Sequence, residues 1–274
     1  MVMQPYHIHL VSDSTGETVG TVARACLVQF TDFDVEEHNW PMVRTAKQVA
    51  KVVAGIKAEP GLVLYTLVND NNVLALEKEC QDLKVPYIGL LNPVIVAMGH
   101  YLGSEARSRP GRQHVMDAGY FGRIDAMQFV LSHDDGQLTT DLDQADVVIV
   151  GVSRSSKTPT CVYLANRGIK AANIPLVPGV PLPAEVDNAT RPLFVGLTTD
   201  AKSLVHLRRN RMRSIKEDAE TDYTDYEVVS DEVTSARRLF TERAWPVIDV
   251  TRRSVEETAT NIMQLLKRHR EPPA

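Results

Sequence analysis

An α/β protein of two units is the architecture the sequence predicts, and three observations predict it. Short apolar runs alternate with amphipathic stretches along the first hundred residues. A polar, basic segment containing Gly and Pro, GSEARSRPGRQH at 103–114, then interrupts the pattern and reads as a linker. Beyond it the most apolar run of the chain, VVIVGV at 147–152, leads through a loop into another amphipathic stretch. Strand-helix alternation at this spacing builds parallel sheets covered by helices on both faces. The expected division is an N-terminal doubly wound unit over 1–105 and a C-terminal α/β unit over 106–274.

Each element has its own warrant. His7–Val11 reads as a strand and Glu17–Phe30 as a helix, then Val35–Trp40 as a weaker strand and Arg44–Lys57 as a second helix. Leu62–Val68 is a buried strand, Asn72–Leu83 a helix, Tyr87–Leu91 a strand and Pro93–Leu102 a helix. In the second unit, residues 117–132 place Tyr120, Phe121, Ile124, Met127, Phe129 and Val130 at helical spacing. HDDG at 133–136 is a turn by composition. A helix through Arg167, strands near Pro175–Val177 and Leu193–Leu197, and three helices around a last strand at Pro246–Val250 complete the order. The tail RHREPPA is expected to fray.

Composition excludes several functions without naming one. Of 274 residues, 43% are hydrophobic, too many for a chain that stays disordered. Thirty Lys+Arg against 35 Asp+Glu give a net charge of −5, which disfavours a bulk nucleic-acid binder. Cys26, Cys80 and Cys161 lack Cys-x-x-Cys spacing and are expected to be mostly buried free thiols. No apolar run approaches the ~18 residues of a membrane span. The start, MVMQPYHIHLVSD, lacks a basic segment followed by a long apolar core, so a soluble cytoplasmic protein is expected.

The chemistry concentrates at 147–160, VVIVGVSRSSKTPT. Gly151-Val152-Ser153-Arg154-Ser155-Ser156-Lys157-Thr158 follows the Walker A spacing Gly-x4-Gly-Lys-[Ser/Thr], between an apolar strand and an amphipathic helix. Backbone N–H groups and the positive end of a helix then face phosphate oxygens. Lys157 would bridge the terminal phosphates, and the Thr158 hydroxyl would ligate Mg²⁺. Residues 106–274 thus read as a P-loop kinase-like, nucleotide-binding catalytic domain. Ser156 replaces the second Gly, so the loop either bends differently or holds a Ser at positive φ at a cost of about 1 kcal/mol.

The strings GVSRSSKTPT, SDSTGET (12–18), PGRQH (110–114), HDDG, ANIPLVPG (172–179) and WPVIDVTRRSVEETA (245–259) together resemble the pyruvate, phosphate dikinase regulatory protein family, from about residue 7 to 267. The resemblance implies a bifunctional enzyme. It would phosphorylate a threonine of the dikinase with ADP as donor, inactivating it. It would also remove that phosphate by attack of inorganic phosphate, releasing pyrophosphate. A sister branch acts on phosphoenolpyruvate synthase (pyruvate, water dikinase). That branch tends to carry Gly before the loop lysine and Ser-Asp-Gly-Thr near the N-terminus. Ser156 and Ser12-Asp13-Ser14-Thr15 resemble the dikinase branch instead.

Both reactions require a base or acid near the threonine oxygen, a metal and cationic clamps. Asp134 and Asp135 are the best carboxylates, with Asp135 as general base and Asp134 or His133 in support; the bland reading is a turn-forming pair. Asp200 and Asp249 compete for the role of holding Mg²⁺ through water, against a reading as helix caps or loop residues. Arg154 could contact a phosphate or stand in solvent. Arg112 and His114 could line a cleft or belong to a solvated linker. Ser14 and Glu17 have capping-box spacing, with substrate contact as the second reading for 12–18. The run KSLVHLRRNRMRSIK (202–216) places six cations in 15 residues, a solvated helix face or a contact for an acidic partner. The expected partner is the dikinase, without nucleic acid or membrane, and a homodimer is allowed. A non-catalytic nucleotide-sensing adaptor and a small-molecule kinase remain as alternatives.

Overall fold

The computed structural model describes residues 5–104, 118–215 and 221–271, and the chain divides into two compact units, one up to residue 115 and one from residue 116. The expected linker beyond Ser104, with Arg112, His114 and Asp117, lies outside the described residues, as do Lys216 and the last three residues.

The first unit runs β1 (Tyr6–Ser12), α1 (Glu17–Leu27), β2 (Val35–Trp40), α2 (Ala46–Ala58), β3 (Leu62–Thr66), α3 (Asp70–Leu83), β4 (Tyr87–Gly89) and α4 (Asn92–Leu102). Its four strands are all parallel, in the order β2-β1-β3-β4. Helices α2 and α3 cover one face through Val49, Val53, Ile56 and Leu76, and α1 covers the other through Val19 and Ala23. α2 begins where Thr45 and Gln48 close a capping box.

The second unit runs α5 (Ala118–Ser132), two single 3₁₀ turns (Asp134–Gly136 and Leu142–Gln144), β5 (Val147–Val152), α6 (Lys157–Ala165), β6 (Ala171–Leu176), α7 (Ala184–Asn188) and β7 (Leu193–Thr198). It ends with α8 (Ala201–Ser214), a 3₁₀ turn at Asp222–Thr224, α9 (Tyr226–Glu242), β8 (Val247–Asp249) and α10 (Val255–Arg270). The strands are again all parallel, in the order β6-β5-β7-β8. Every residue of β5 and of β7 is buried, as expected of central strands with helices on both faces. The α/β architecture predicted from the sequence is therefore the one found.

The differences from expectation have local causes. β6 starts four residues earlier than Pro175 because Ala171–Ile174 pairs with β5, and Pro175 fits since β6 is an edge strand with no ladder hydrogen bond to lose. The Ser14–Glu17 capping box does not form. Gly16 caps α1 at φ 87° without a side-chain bond, because the Ser14 backbone donates to the Ser12 hydroxyl and accepts from Met42. Asp13 is likewise tied down: its carboxylate accepts from Val68 N at 2.8 Å and its carbonyl from Arg44 Nε at 2.8 Å. Burial raises the Asp13 carboxyl pKa. Cys80 and Cys161 are buried and Cys26 is exposed. Burial pushes the Cys80 thiol up to about 11, so it is inert at neutral pH. Among the described residues no helix is long and apolar enough to cross a membrane.

Candidate functional site

In the order β6-β5-β7-β8, the chain leaves β5 toward one neighbour and later returns to the other side. Such a reversal opens a crevice beyond the carboxyl ends of the two strands, where α/β sheets place ligands. The carboxyl end of β5 is Gly151-Val152, so residues 153–156 cross that crevice before α6 begins at Lys157. Gly151 is needed for proximity. A Cβ there would lie 2.8 Å from the Leu197 carbonyl oxygen and 2.8 Å from Ser155 Oγ. With that space clear, Ser155 Oγ folds back and donates to the Val152 carbonyl at 2.9 Å.

Two loop residues take the left-handed conformation, Arg154 at φ 71° and Ser156 at φ 62°. The loop thus holds a Ser at positive φ under mild strain, one of the two outcomes expected from sequence. Replacing Ser156 by Gly should relieve about 1 kcal/mol and raise the denaturant midpoint of the chain. A midpoint that falls would mean the Ser side chain holds something the backbone argument overlooks. Pro159 sits in the first turn of α6, where its missing N–H removes no helical bond.

Lys157 is 5% exposed, and its ammonium donates to the Val152 carbonyl at 3.1 Å. Burial lowers its pKa, while the charges of Asp135 and then Asp134 act in the opposite sense. Among the described residues it forms no direct ion pair, so its charge is the one a bound anion would satisfy. Arg154 is exposed.

The acid pair meets the loop. Asp134–Gly136 forms a 3₁₀ turn after α5, with Asp135 at φ 49° and ψ 35°, a region that Asp tolerates better than most residues. The Thr158 hydroxyl donates to Asp134 Oδ1 at 2.9 Å. Asn173, on the edge strand, sends its amide nitrogen to Asp134 Oδ1 at 2.6 Å, Thr158 Oγ1 at 3.0 Å and Asp135 Oδ1 at 3.2 Å. Its own Oδ1 is buried without a hydrogen-bond partner. Asp135 is exposed and borders, with Ser153, Arg154, Lys157 and Thr158, a cleft of about 500 Å³. A second cleft of about 370 Å³ runs beside it along Leu176–Gly179 and α9.

His133 does not join this group. One ring nitrogen faces the Phe129 carbonyl at 2.8 Å and the other the Asp141 carboxylate at 2.7 Å, and the ring stacks on Phe129. Its backbone carbonyl accepts from Asn173 N at 3.0 Å, so it fixes the turn beside the edge strand. Both ring nitrogens are thus engaged away from Asp134 and Asp135. Asp200 caps α8 through Ser203 N at 2.9 Å, and Asp249 accepts from Thr251 N at 2.9 Å, so both fill cap or loop roles.

Two partners of the loop were not legible. Arg208, counted in the cationic run, is 1% exposed. Its guanidinium forks onto Glu232 at 2.6 and 3.2 Å, donates to Tyr223 O at 3.1 Å and Ser153 O at 3.4 Å, and lies over the Tyr223 ring. The Ser153 and Tyr223 hydroxyls meet at 2.9 Å. Lys202, Arg209, Arg211 and Arg213 are exposed, which leaves four described cations on the helix surface. Asn173 carried only a weak signal, a polar residue inside an otherwise apolar strand.

The switch-point loop, buried lysine and adjoining acids, on two all-parallel sheets, define an α/β protein of kinase-like build. The chain belongs to the kinase/pyrophosphorylase family, whose pattern it matches over residues 8–263. It is 57% identical over 269 residues to a pyruvate, phosphate dikinase regulatory protein of Paramagnetospirillum magneticum, covering 98% of this chain and 86% of that one. A protein of the same description from Rhodospirillum rubrum is 51% identical over 97% of each chain. One from Sphingopyxis alaskensis is 49% identical over 97% of this chain and 98% of its own.

Proposed function

We propose that this chain regulates pyruvate, phosphate dikinase by adding and removing a phosphoryl group on a threonine of that enzyme. ADP is the donor in one direction and inorganic phosphate the acceptor in the other. The observation that carries the reading is that Asp135, Thr158 and the buried Lys157 line one cleft, with Asp134 and Asn173 hydrogen-bonded behind them. The descriptions of the relatives support the choice of partner.

Residues 151–158 cradle the β-phosphate of ADP, with the Lys157 ammonium against its oxygens and the adenosine directed along the apolar neighbouring cleft. Asp135, the acid that faces open space, takes the proton from the threonine hydroxyl as its oxygen attacks the β-phosphorus and AMP departs. In the opposite reaction a phosphate oxygen attacks the phosphothreonine phosphorus. The threonine oxygen leaves and recovers a proton from Asp135, and pyrophosphate forms. One cradle serves both because the β-phosphate of ADP and free phosphate present the same oxygens to it.

Mg²⁺ fits the residues present. Thr158 Oγ1, Asp134 Oδ1 and the partnerless Asn173 Oδ1 are hard oxygen donors on adjoining elements, the kind that Mg²⁺ selects. Thr158 and Asp134 would hold it, and when bound it would neutralise charge on the transferring phosphate.

The test mixes the purified chain with ADP and the dikinase, then examines the dikinase for phosphothreonine. Phosphate is added next and pyrophosphate measured. Both products are expected. Inhibition of the dikinase without covalent phosphate would replace this reading with a docking adaptor, and turnover of ATP on a metabolite would replace it with a small-molecule kinase.

A further inference from the structure

The first unit carries a histidine cluster that the reaction above does not use. In β1 and β2 the parallel register pairs His7 with Glu36 and His9 with His38. Because side chains alternate along a strand, these four residues and Trp40 project from one face of the sheet. His7 Nδ1 and His38 Nε2 lie 3.0 Å apart, and Glu36 Oε2 is 3.7 Å from His7 Nδ1. All three ligand atoms fall within 4.8 Å of one another, the only such group of three among the described residues.

The surroundings set which nitrogen carries the lone pair. Glu59, just past the end of α2, faces His38 Nδ1 at 3.4 Å. A carboxylate there is placed to receive a proton from Nδ1, which would leave the Nε2 lone pair facing His7, the arrangement typical of a histidine that ligates metal. His9 is excluded as a ligand. Its Nδ1 accepts from Trp40 Nε1 at 3.1 Å and its Nε2 meets the Glu59 carbonyl at 2.8 Å. It is fully buried and stacks against His38 at 4.7 Å, fixing that ring in place.

We propose that His7, Glu36 and His38 form a binding site for a divalent transition-metal ion of the Zn²⁺ type. Bonds of ~2.0–2.1 Å in a tetrahedral arrangement set ligand atoms ~3.3 Å apart, and the two ring nitrogens are already near that spacing. Glu36 is exposed, so its carboxylate closes the remaining distance by rotation. Two imidazoles and one carboxylate leave a fourth position for water. This donor set favours Zn²⁺ over Mg²⁺, which selects oxygen ligands.

The test uses the full chain without an affinity tag. Zn²⁺ binding is measured by competition with a chelating dye, and Co²⁺ is added separately to read its visible ligand-field absorption. One Zn²⁺ per chain is expected, with tetrahedral-type Co²⁺ bands. His38→Ala or His7→Ala should weaken Zn²⁺ at least about 100-fold, and Glu59→Gln about 10–100-fold. Glu36→Gln, at an exposed position, supplies a variant that keeps the fold and should also weaken binding. Asp135→Asn should leave it unchanged. Absence of Zn²⁺ binding to the folded parent chain overturns the site. So does Zn²⁺ that persists at full affinity in folded Glu36→Gln and Glu59→Gln, or that disappears in Asp135→Asn.

Discussion

Asp135→Asn is expected to lower both phosphorylation and phosphate-dependent dephosphorylation by about 10²–10⁴-fold, the usual contribution of a positioned general acid-base group. ADP affinity should change little. Asn occupies the same volume and tolerates the left-handed backbone that Asp135 adopts at φ 49°. The 3.2 Å contact from Asn173 to Asp135 Oδ1 can also be kept by the Asn carbonyl. The substitution therefore removes proton transfer and leaves the cleft. Both rates should be compared with ADP binding by calorimetry. Two surviving activities would show that the proton is taken elsewhere, with Asp134 as the next carboxylate to examine. Asp134 has less freedom, since Thr158 and Asn173 already engage one of its oxygens.

Arg208→Ala should cost about 3–5 kcal/mol of stability, the range found when one partner is removed from a buried ion pair. The reason is what remains. Glu232 is 10% exposed on its side chain and would keep a charge with no fork to hold it. Tyr223 O and Ser153 O would also lose their donor. Because Ser153 opens the loop, ADP affinity should fall together with stability. Equilibrium denaturation, fitted beside ADP titration, reads both. The double variant Arg208→Met with Glu232→Leu removes both charges together and should recover most of the stability while the loop stays loosened. A loss below about 1 kcal/mol in Arg208→Ala would show that the pair does not support the loop.

How much of this was legible in the sequence depends on how local each cause is. β5 reads as a central strand because VVIVGV is apolar on both faces, and both faces are buried. Loop spacing at Ser156 allowed two outcomes, a different bend or a strained Ser, and the positive φ is the second of them. The capping box at Ser14 and Glu17 had the right spacing but failed. Ser14 is claimed by Ser12 and by Met42, a contact 28 residues away that spacing cannot register. Arg208 sat in a run of cations that resembled a solvated face. Its burial depends on Glu232 and Tyr223, which follow it by 24 and 15 residues. Asn173 is similar: it gathers Thr158, Asp135 and Asp134 across 15, 38 and 39 residues. Periodicity reports which face is apolar, and short motifs report a loop, but neither reports which polar groups a fold brings together.

The most direct measurement follows the β-phosphorus through both reactions. ADP labelled at that phosphorus is incubated with the full chain and the dikinase, and unlabelled phosphate is added once the threonine is modified. The expected result is label on the dikinase threonine with AMP as the co-product, then the same label in pyrophosphate. Label that stays in the nucleotide while the dikinase loses activity, or label that leaves the threonine as free phosphate, would contradict a single phosphoryl-transfer site at Lys157.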